Sequence, residues 1–250
     1  MYKLKDNLDF LVEKYETADF IRYDPIQFPH RFTNKQDIEV AGFLASTLSF
    51  GRRQSIIKAC DNLFNILGES PYQYVMTSKW KEMPDNMHIY RFVKGRDIKY
   101  ICRGLRYAYQ RSETNSLESY FTNMYDPWLS ISLLHNIILI ANKGETNRNI
   151  VDPQNGSACK RWHMFLRWMV RKPPVDLGIW TSISPSKLII PIDTHVLQQS
   201  IKLNIIPSTS KNTRETAQTL TLNLKKLNRT DPARYDFALF GMGVQQQTFI

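Results

Sequence analysis

Two residues of this chain combine a reactive side chain with a setting that would tune it. They are Lys160, in "GSACKRWHMFLRWMVR", and Asp193, in "LIIPIDTHV". Ser157 reads as the N-cap of a helix, which puts Lys160 in the first turn. There, unpaired backbone N–H groups and the helix macrodipole disfavour a cation, and Arg161 and Arg167 push the same way. Partial burial of such a lysine would favour the free amine, which attacks electrophilic sugar carbons as an ammonium ion does not. Asp193 follows Pro191 and Ile192 and opens "THVLQQSIKLNII", a good helix start in which an N-cap aspartate needs no further role. Capping uses one carboxylate oxygen, so an aspartate whose second oxygen faces a cleft does both jobs.

The helix carrying Lys160 has further chemistry on it. At 100° per residue, Trp162, Phe165, Leu166 and Met169 form an apolar stripe, with Trp162 and Trp168 read as core or flank. Lys160, His163, Arg167 and Arg171 gather opposite, as either a solvated basic face or a phosphate-contacting one. Cys159 and His163, four apart, share a side of the helix, and the helix N-terminus would favour a thiolate. A thiol enzyme is therefore a rival reading. No third group is placed to orient the histidine, and a buried structural cysteine accounts for Cys159 more simply.

The elements that must position these groups read as helices almost throughout. "LKDNLDFLVEKYE" sets Leu4, Leu8, Leu11 and Tyr15 at helical spacing. Further helices follow in "TNKQDIEVAGFLASTLSF", "QSIIKACDNLFNIL", "DIKYICRGLRYAYQRS" and "SLESYFTNMY". "DPWLSISLLHNIILIANKG" has Asp126 as cap, Pro127 in the first turn and Gly144 past the end. "NTRETAQTLTLNLKKL" shows a capping box, Asn212 with Glu215, and "DPARYDFALFGMG" repeats the Asp, Pro and Gly punctuation. Asp236 in this last stretch reads as a structural partner for an arginine, while Asp37 and Glu39 read as dipole-complementing acids. "YDPIQFPHRF" reads as a loop pinned to the core by its aromatic residues. No strand-like alternation, repeat or low-complexity tract interrupts the pattern, so the expected fold class is all-α.

Composition narrows the function. A chain of 250 residues with 42% hydrophobic residues supports a packed globular protein. Its longest uncharged apolar stretch, "SISLLHNIILIA", falls short of the roughly 20 residues that span a bilayer. No signal-peptide pattern opens it, and a cytoplasmic protein is expected. Cys60, Cys102 and Cys159 form no CxxC pair, and the histidines at 30, 88, 135, 163 and 195 form no HxxxH-type pair. Neither a metal site nor another cofactor is expected, and the lack of a glycine-rich phosphate loop argues against nucleotide hydrolysis. The formal net charge of +10, from 33 Lys and Arg against 23 Asp and Glu, favours a polyanionic partner.

A lysine near a helix start followed by "IPIDTHV" resembles the helix-hairpin-helix DNA glycosylase superfamily, in which the aspartate of a "VDTH"-type motif is catalytic. A preceding lysine forms the Schiff base in its bifunctional members. "DPIQFPHRF", "KRWHMFLRWMVR", "DLGIW", "LIIPIDTHV" and "DPARYDFALFGMGV" are more closely similar to an uncharacterised bacterial family, over nearly the whole chain. The usual "LPGVGxKTA"-like hairpin is absent, no cluster-ligating cysteines follow Asp193, and Lys160 and Asp193 stand 33 positions apart. The archaeal 8-oxoguanine glycosylase branch, with a long interval and an unorthodox hairpin, is the nearest characterised template.

The resemblance implies two helical lobes with a cleft between them, residues 35–190 forming one and residues 1–34 with 191–250 the other. It implies a base-excision glycosylase with AP-lyase activity, Lys160 and Asp193 being catalytic and no metal or cofactor taking part. The partner would be damaged or abasic duplex DNA, bound by a monomer. Arg52, Arg53, Arg161, His163, Arg167, Arg171, Thr194 and His195 would contact the nucleic acid. The alternative reading is a non-catalytic nucleic-acid-binding protein that keeps the glycosylase-like fold.

Overall fold

The computed structural model describes residues 2–122 and 125–247. The described chain is mostly helical: α1 (Tyr2–Tyr15), α2 (Ala18–Arg22), α3 (Lys35–Leu48), α4 (Arg53–Leu67), α5 (Pro71–Met76), α6 (Gly95–Arg111), α7 (Pro127–Ala141), α8 (Lys160–Val170), α9 (Thr194–Lys202), α10 (Arg214–Lys225) and α11 (Tyr235–Gln247). One short antiparallel hairpin, β1 (His88–Tyr90) with β2 (Val93–Lys94), breaks the all-α pattern. Strands this short carry no alternation that a sequence could display. None of the described helices is long and apolar enough to cross a membrane.

The chain divides into two compact units, residues 1–20 with 153–250, and residues 21–152. The sequence reading drew its dividing line at 190 instead. Residues 153–190 join the C-terminal helices because Arg167 on α8 pairs with Asp236, and Arg171, just past its end, pairs with Glu16 and Asp231.

In the unit of residues 21–152, α6 packs on α7, and Ile101 and Leu105 of the one and Leu134 and Ile138 of the other are all buried. Gly104 makes the close approach possible, since a Cβ there would lie 2.6 Å from a methyl of Ile138. The loop before α3 folds into two 3-10 turns pinned by buried Phe28, whose ring stacks on Phe64 at 5.1 Å between centroids. The acids near the start of α3 do more than complement its dipole. Glu39 is fully buried and accepts from the Tyr109 hydroxyl (2.8 Å), the Leu117 N–H (3.0 Å) and the Ser116 hydroxyl. Asp37 accepts from the Ser70 hydroxyl and the Tyr72 N–H. The helix expected in "SLESYFTNMY" is one 3-10 turn, Leu117–Tyr120, begun by Ser116, whose hydroxyl accepts from the Glu118 N–H. Asn123 and Met124, also within that expected helix, lie outside the described residues.

In the other unit, α11 lies against α1 and α9. Its two glycines, expected to stop the helix, lie inside it. A Cβ on Gly241 would meet the Tyr15 ring at 2.3 Å, and one on Gly243 would meet the His195 Cβ at 2.6 Å. They are glycines because neighbouring helices come too close for a side chain. α8 is enclosed, with Trp162, Phe165, Leu166, Trp168 and Met169 all buried. The segment after it folds back, Leu177 and Trp180 donating their N–H groups to the carbonyls of Trp168 and Met169. α10 begins at Thr213, whose hydroxyl accepts from the Thr216 N–H, one residue later than the expected Asn212 cap.

Candidate active site

Lys160 and Asp193 each stand at the beginning of a helix in the unit of residues 1–20 and 153–250. α8 starts later than Ser157 suggested, because Cys159 adopts a left-handed conformation (φ 49°, ψ 38°) and makes Lys160 the first helical residue. A non-glycine residue in that region costs about 1–2 kcal/mol, so the surroundings impose the turn. The Ser157 hydroxyl accepts from the Cys159 N–H (3.2 Å), and the Gly156 carbonyl accepts from the Arg214 N–H (2.9 Å). The first bond shapes the turn before α8, and the second ties it to the start of α10.

Asp193 caps α9 as its local sequence predicts. Its Oδ1 accepts from the Val196 N–H at 2.9 Å, while Oδ2 lies 3.5 Å from the Lys160 ammonium nitrogen. One carboxylate therefore faces a helix start with one oxygen and a lysine with the other. The side chains are 31% exposed for Lys160 and 16% for Asp193. Charge-assisted hydrogen bonds run at roughly 2.7–2.9 Å, so the contact is looser than a tight ion pair, and a partly exposed pair at this distance contributes little to stability.

Behind the pair lies a buried ionic network. Arg167 pairs with Asp236 and Asp176, and Arg171 with Asp176, Asp231 and Glu16. Asp236, read from sequence as an arginine's partner, is one, and it also feels the charges at the site. Burial raises its pKa to about 6 despite the Arg167 guanidinium, with Asp193 adding to the rise and Lys160 opposing it. Burial opposes the charge on Arg171, but Asp176, Asp231 and Glu16 outweigh it and hold its proton more firmly than usual. Asp176, fully buried and bridging both arginines, escaped the sequence reading. Its signal was a single acid in an otherwise uncharged stretch, "PPVDLGIW".

The network corrects part of the expected nucleic-acid surface. Arg167 and Arg171 are buried and bound to carboxylates, which leaves them no exposed guanidinium for a phosphate. His163 is 1% exposed, and burial, with Arg214 adding to the effect, lowers its pKa to about 3. It is a neutral core residue, and neither it nor buried Cys159 presents the accessible thiol–imidazole pair of a thiol enzyme. The helix period placed these cations on one side of α8 but could not show what packs there. Thr194 is exposed, and His195 is half-buried with its ring edge-on to Phe240 at 5.9 Å. Arg161 is half-buried, and burial lowers its pKa. Arg52, exposed, and Arg53, half-buried, belong to the other unit.

A cavity of about 830 Å³ opens in the same unit, with Glu16, Arg171, Trp180, Asp231 and Arg234 among its lining residues. Lys160 and Asp193 are not among them. No group of His, Cys, Asp and Glu suited to a metal ion occurs among the described residues.

The depressed pKa of His163 has a measurable consequence. The unfolded chain takes up a proton on this residue below about pH 6.5 and the folded chain does not until about pH 3. His163 therefore contributes stability at neutral pH that is lost as the pH falls from 6.5 towards 3, by up to about 1.4 kcal/mol per pH unit. Urea denaturation at several pH values should show a shallower acid-side decline for His163→Leu than for the wild type. An unchanged slope would place the acid sensitivity elsewhere.

The fold and site define an all-α protein in which two helix starts hold an amine and a carboxylate together, backed by buried ion pairs. The chain matches the family described as "Protein of unknown function (DUF2400)" over residues 24–245, and it belongs to that family. No curated protein and no solved structure matches it.

Proposed function

We propose that this protein is a DNA glycosylase with associated AP-lyase activity, built on the plan of the helix-hairpin-helix superfamily that its sequence resembles. The observation that carries the reading is the 3.5 Å approach of the Lys160 amine to the Asp193 carboxylate, two groups far apart in the chain. In this reading Asp193 accepts a proton from the Lys160 ammonium, and the freed amine attacks C1′ of an extruded nucleotide. The C1′–N bond breaks, its electron pair leaving with the base, which takes up a proton. The sugar ring then opens at O4′ to give an imine between C1′ and Nζ. Loss of a C2′ proton expels the 3′-phosphate and cuts the strand. The Asp193 carboxylate also offsets positive charge developing at C1′. The partner is damaged or abasic duplex DNA, with Arg52, Arg53, Arg161, Thr194 and His195 as the remaining candidates for contact to it.

A duplex carrying one abasic site tests this. The wild type should give the β-elimination product in single turnover, and Lys160→Ala should give none while melting at the same temperature. Equal cleavage by the variant would remove Lys160 from the chemistry. Failure of the wild type to release any base or cut any abasic strand, with DNA binding intact, would put the non-catalytic binding reading in its place.

A further inference from the structure

We propose that the tip of the β1–β2 hairpin, with the residues packed on it, is a stacking platform for single-stranded DNA. The site lies wholly within the unit of residues 21–152 and does not depend on Lys160 or Asp193. Phe92, at the turn of the hairpin, is 41% exposed, although burying such a ring is ordinarily favourable. It is held in place all the same. Its ring stacks on Phe50 at 5.0 Å between centroids and 18° between planes, and the Arg148 guanidinium lies 4.0 Å from its centroid. Arg148 also donates to the Phe92 carbonyl at 3.3 Å. Beside it, Arg91 occupies a left-handed conformation (φ 51°) and places its guanidinium 6.0 Å from the Phe50 ring. Strained non-glycine residues of this kind cluster where a surface has work to do.

Two further features fix the platform. The Tyr90 hydroxyl donates to the Phe50 carbonyl at 2.6 Å. Gly51, at φ +94°, leaves the space that Arg91 and Tyr90 fill, since a Cβ there would lie 2.6 Å from both. The chain then delivers exposed Arg52 next to them, and Lys94 and Arg96 are exposed at the far end of the hairpin. Asp97 subtracts one charge from this cluster, its carboxylate fixed by the Lys94 N–H (2.7 Å) and the Asn147 amide (2.8 Å), and the arginines and lysine still outnumber it. Cations around a rigid, partly exposed aromatic stack match a strand whose bases are unpaired. The phosphates meet the other cations, and a base lays its flat face on the Arg148 guanidinium that the Phe92 ring supports.

Anisotropy of a fluorescein-labelled oligothymidylate of about fifteen nucleotides, with the full chain, tests the proposal. Phe92→Ala should weaken binding roughly tenfold with an unchanged salt dependence, because it removes a stack and no charge. Phe92→Trp should restore it. Arg52→Ala should lower the slope of affinity against salt by about one. The lyase test reads Lys160, in the other unit, so loss of the lyase reading leaves this proposal standing, and the reverse also holds. Two results would overturn it: no measurable binding of the oligonucleotide by the wild type, or equal affinity of wild type and Phe92→Ala, which would leave an electrostatic surface only.

Discussion

Replacing Arg167 with leucine is expected to cost about 3–5 kcal/mol of folding stability, a loss typical of breaking a buried ion pair from one side. The size follows from what the substitution leaves behind. Asp176 and Asp236 are both buried and both pair with this guanidinium. Burial already pushes the Asp236 carboxyl up to about 6 against the opposition of Arg167, and losing that guanidinium leaves the weaker opposition of Lys160. At roughly 2–4 °C per kcal/mol for a chain of this size, the melting temperature should fall by about 10 °C. Arg167→Lys should recover only part of the loss, because one ammonium cannot span two carboxylates as a planar fork does. Calorimetry at pH 7 decides it. A variant that melts within a degree or two of wild type would show that the network adds nothing to stability.

The second large effect is kinetic. Asp193→Asn is expected to reduce base release by roughly a hundred- to a thousandfold, the range seen when one group aimed at developing charge is removed. Its effect on stability should be small, since asparagine caps a helix about as well as aspartate, and the Val196 N–H still finds an oxygen at the same place. This substitution therefore separates the two jobs of the residue. Asp193→Ala removes both and should add about 1 kcal/mol of destabilisation from the lost cap. Single-turnover rates alongside chemical denaturation distinguish the outcomes. Parallel falls in rate and stability for Asn and Ala would reduce Asp193 to a cap.

These expectations show where sequence was informative and where it was not. Capping is local, so Asp193, Asp126 and the start of "PIDTHV" announced themselves through residue type and neighbouring prolines. Asp236 was readable as an arginine's partner because an acid within "YDFALF" must be paired if buried. The basic column of α8 was misleading for the opposite reason. Helical period gives the direction of Arg167 and Arg171 but not the carboxylates facing them, which arrive from Glu16, Asp176, Asp231 and Asp236. The same limit applies to Gly241 and Gly243. Punctuation rules read them as a helix stop, whereas contact with Tyr15 and His195 requires them inside the helix. The left-handed turn at Cys159 that sets Lys160 at the first helical position has no signature in residue type.

Reduction by borohydride in the presence of duplex DNA containing an abasic site bears most directly on the central claim. An imine between the protein and the sugar would be fixed as a stable amine, and proteolysis with mass analysis would locate it. The expected result is a single adduct carried on the Lys160 peptide, absent from Lys160→Ala and much reduced in Asp193→Asn. No adduct from the wild type, or one mapped to another lysine, would contradict it.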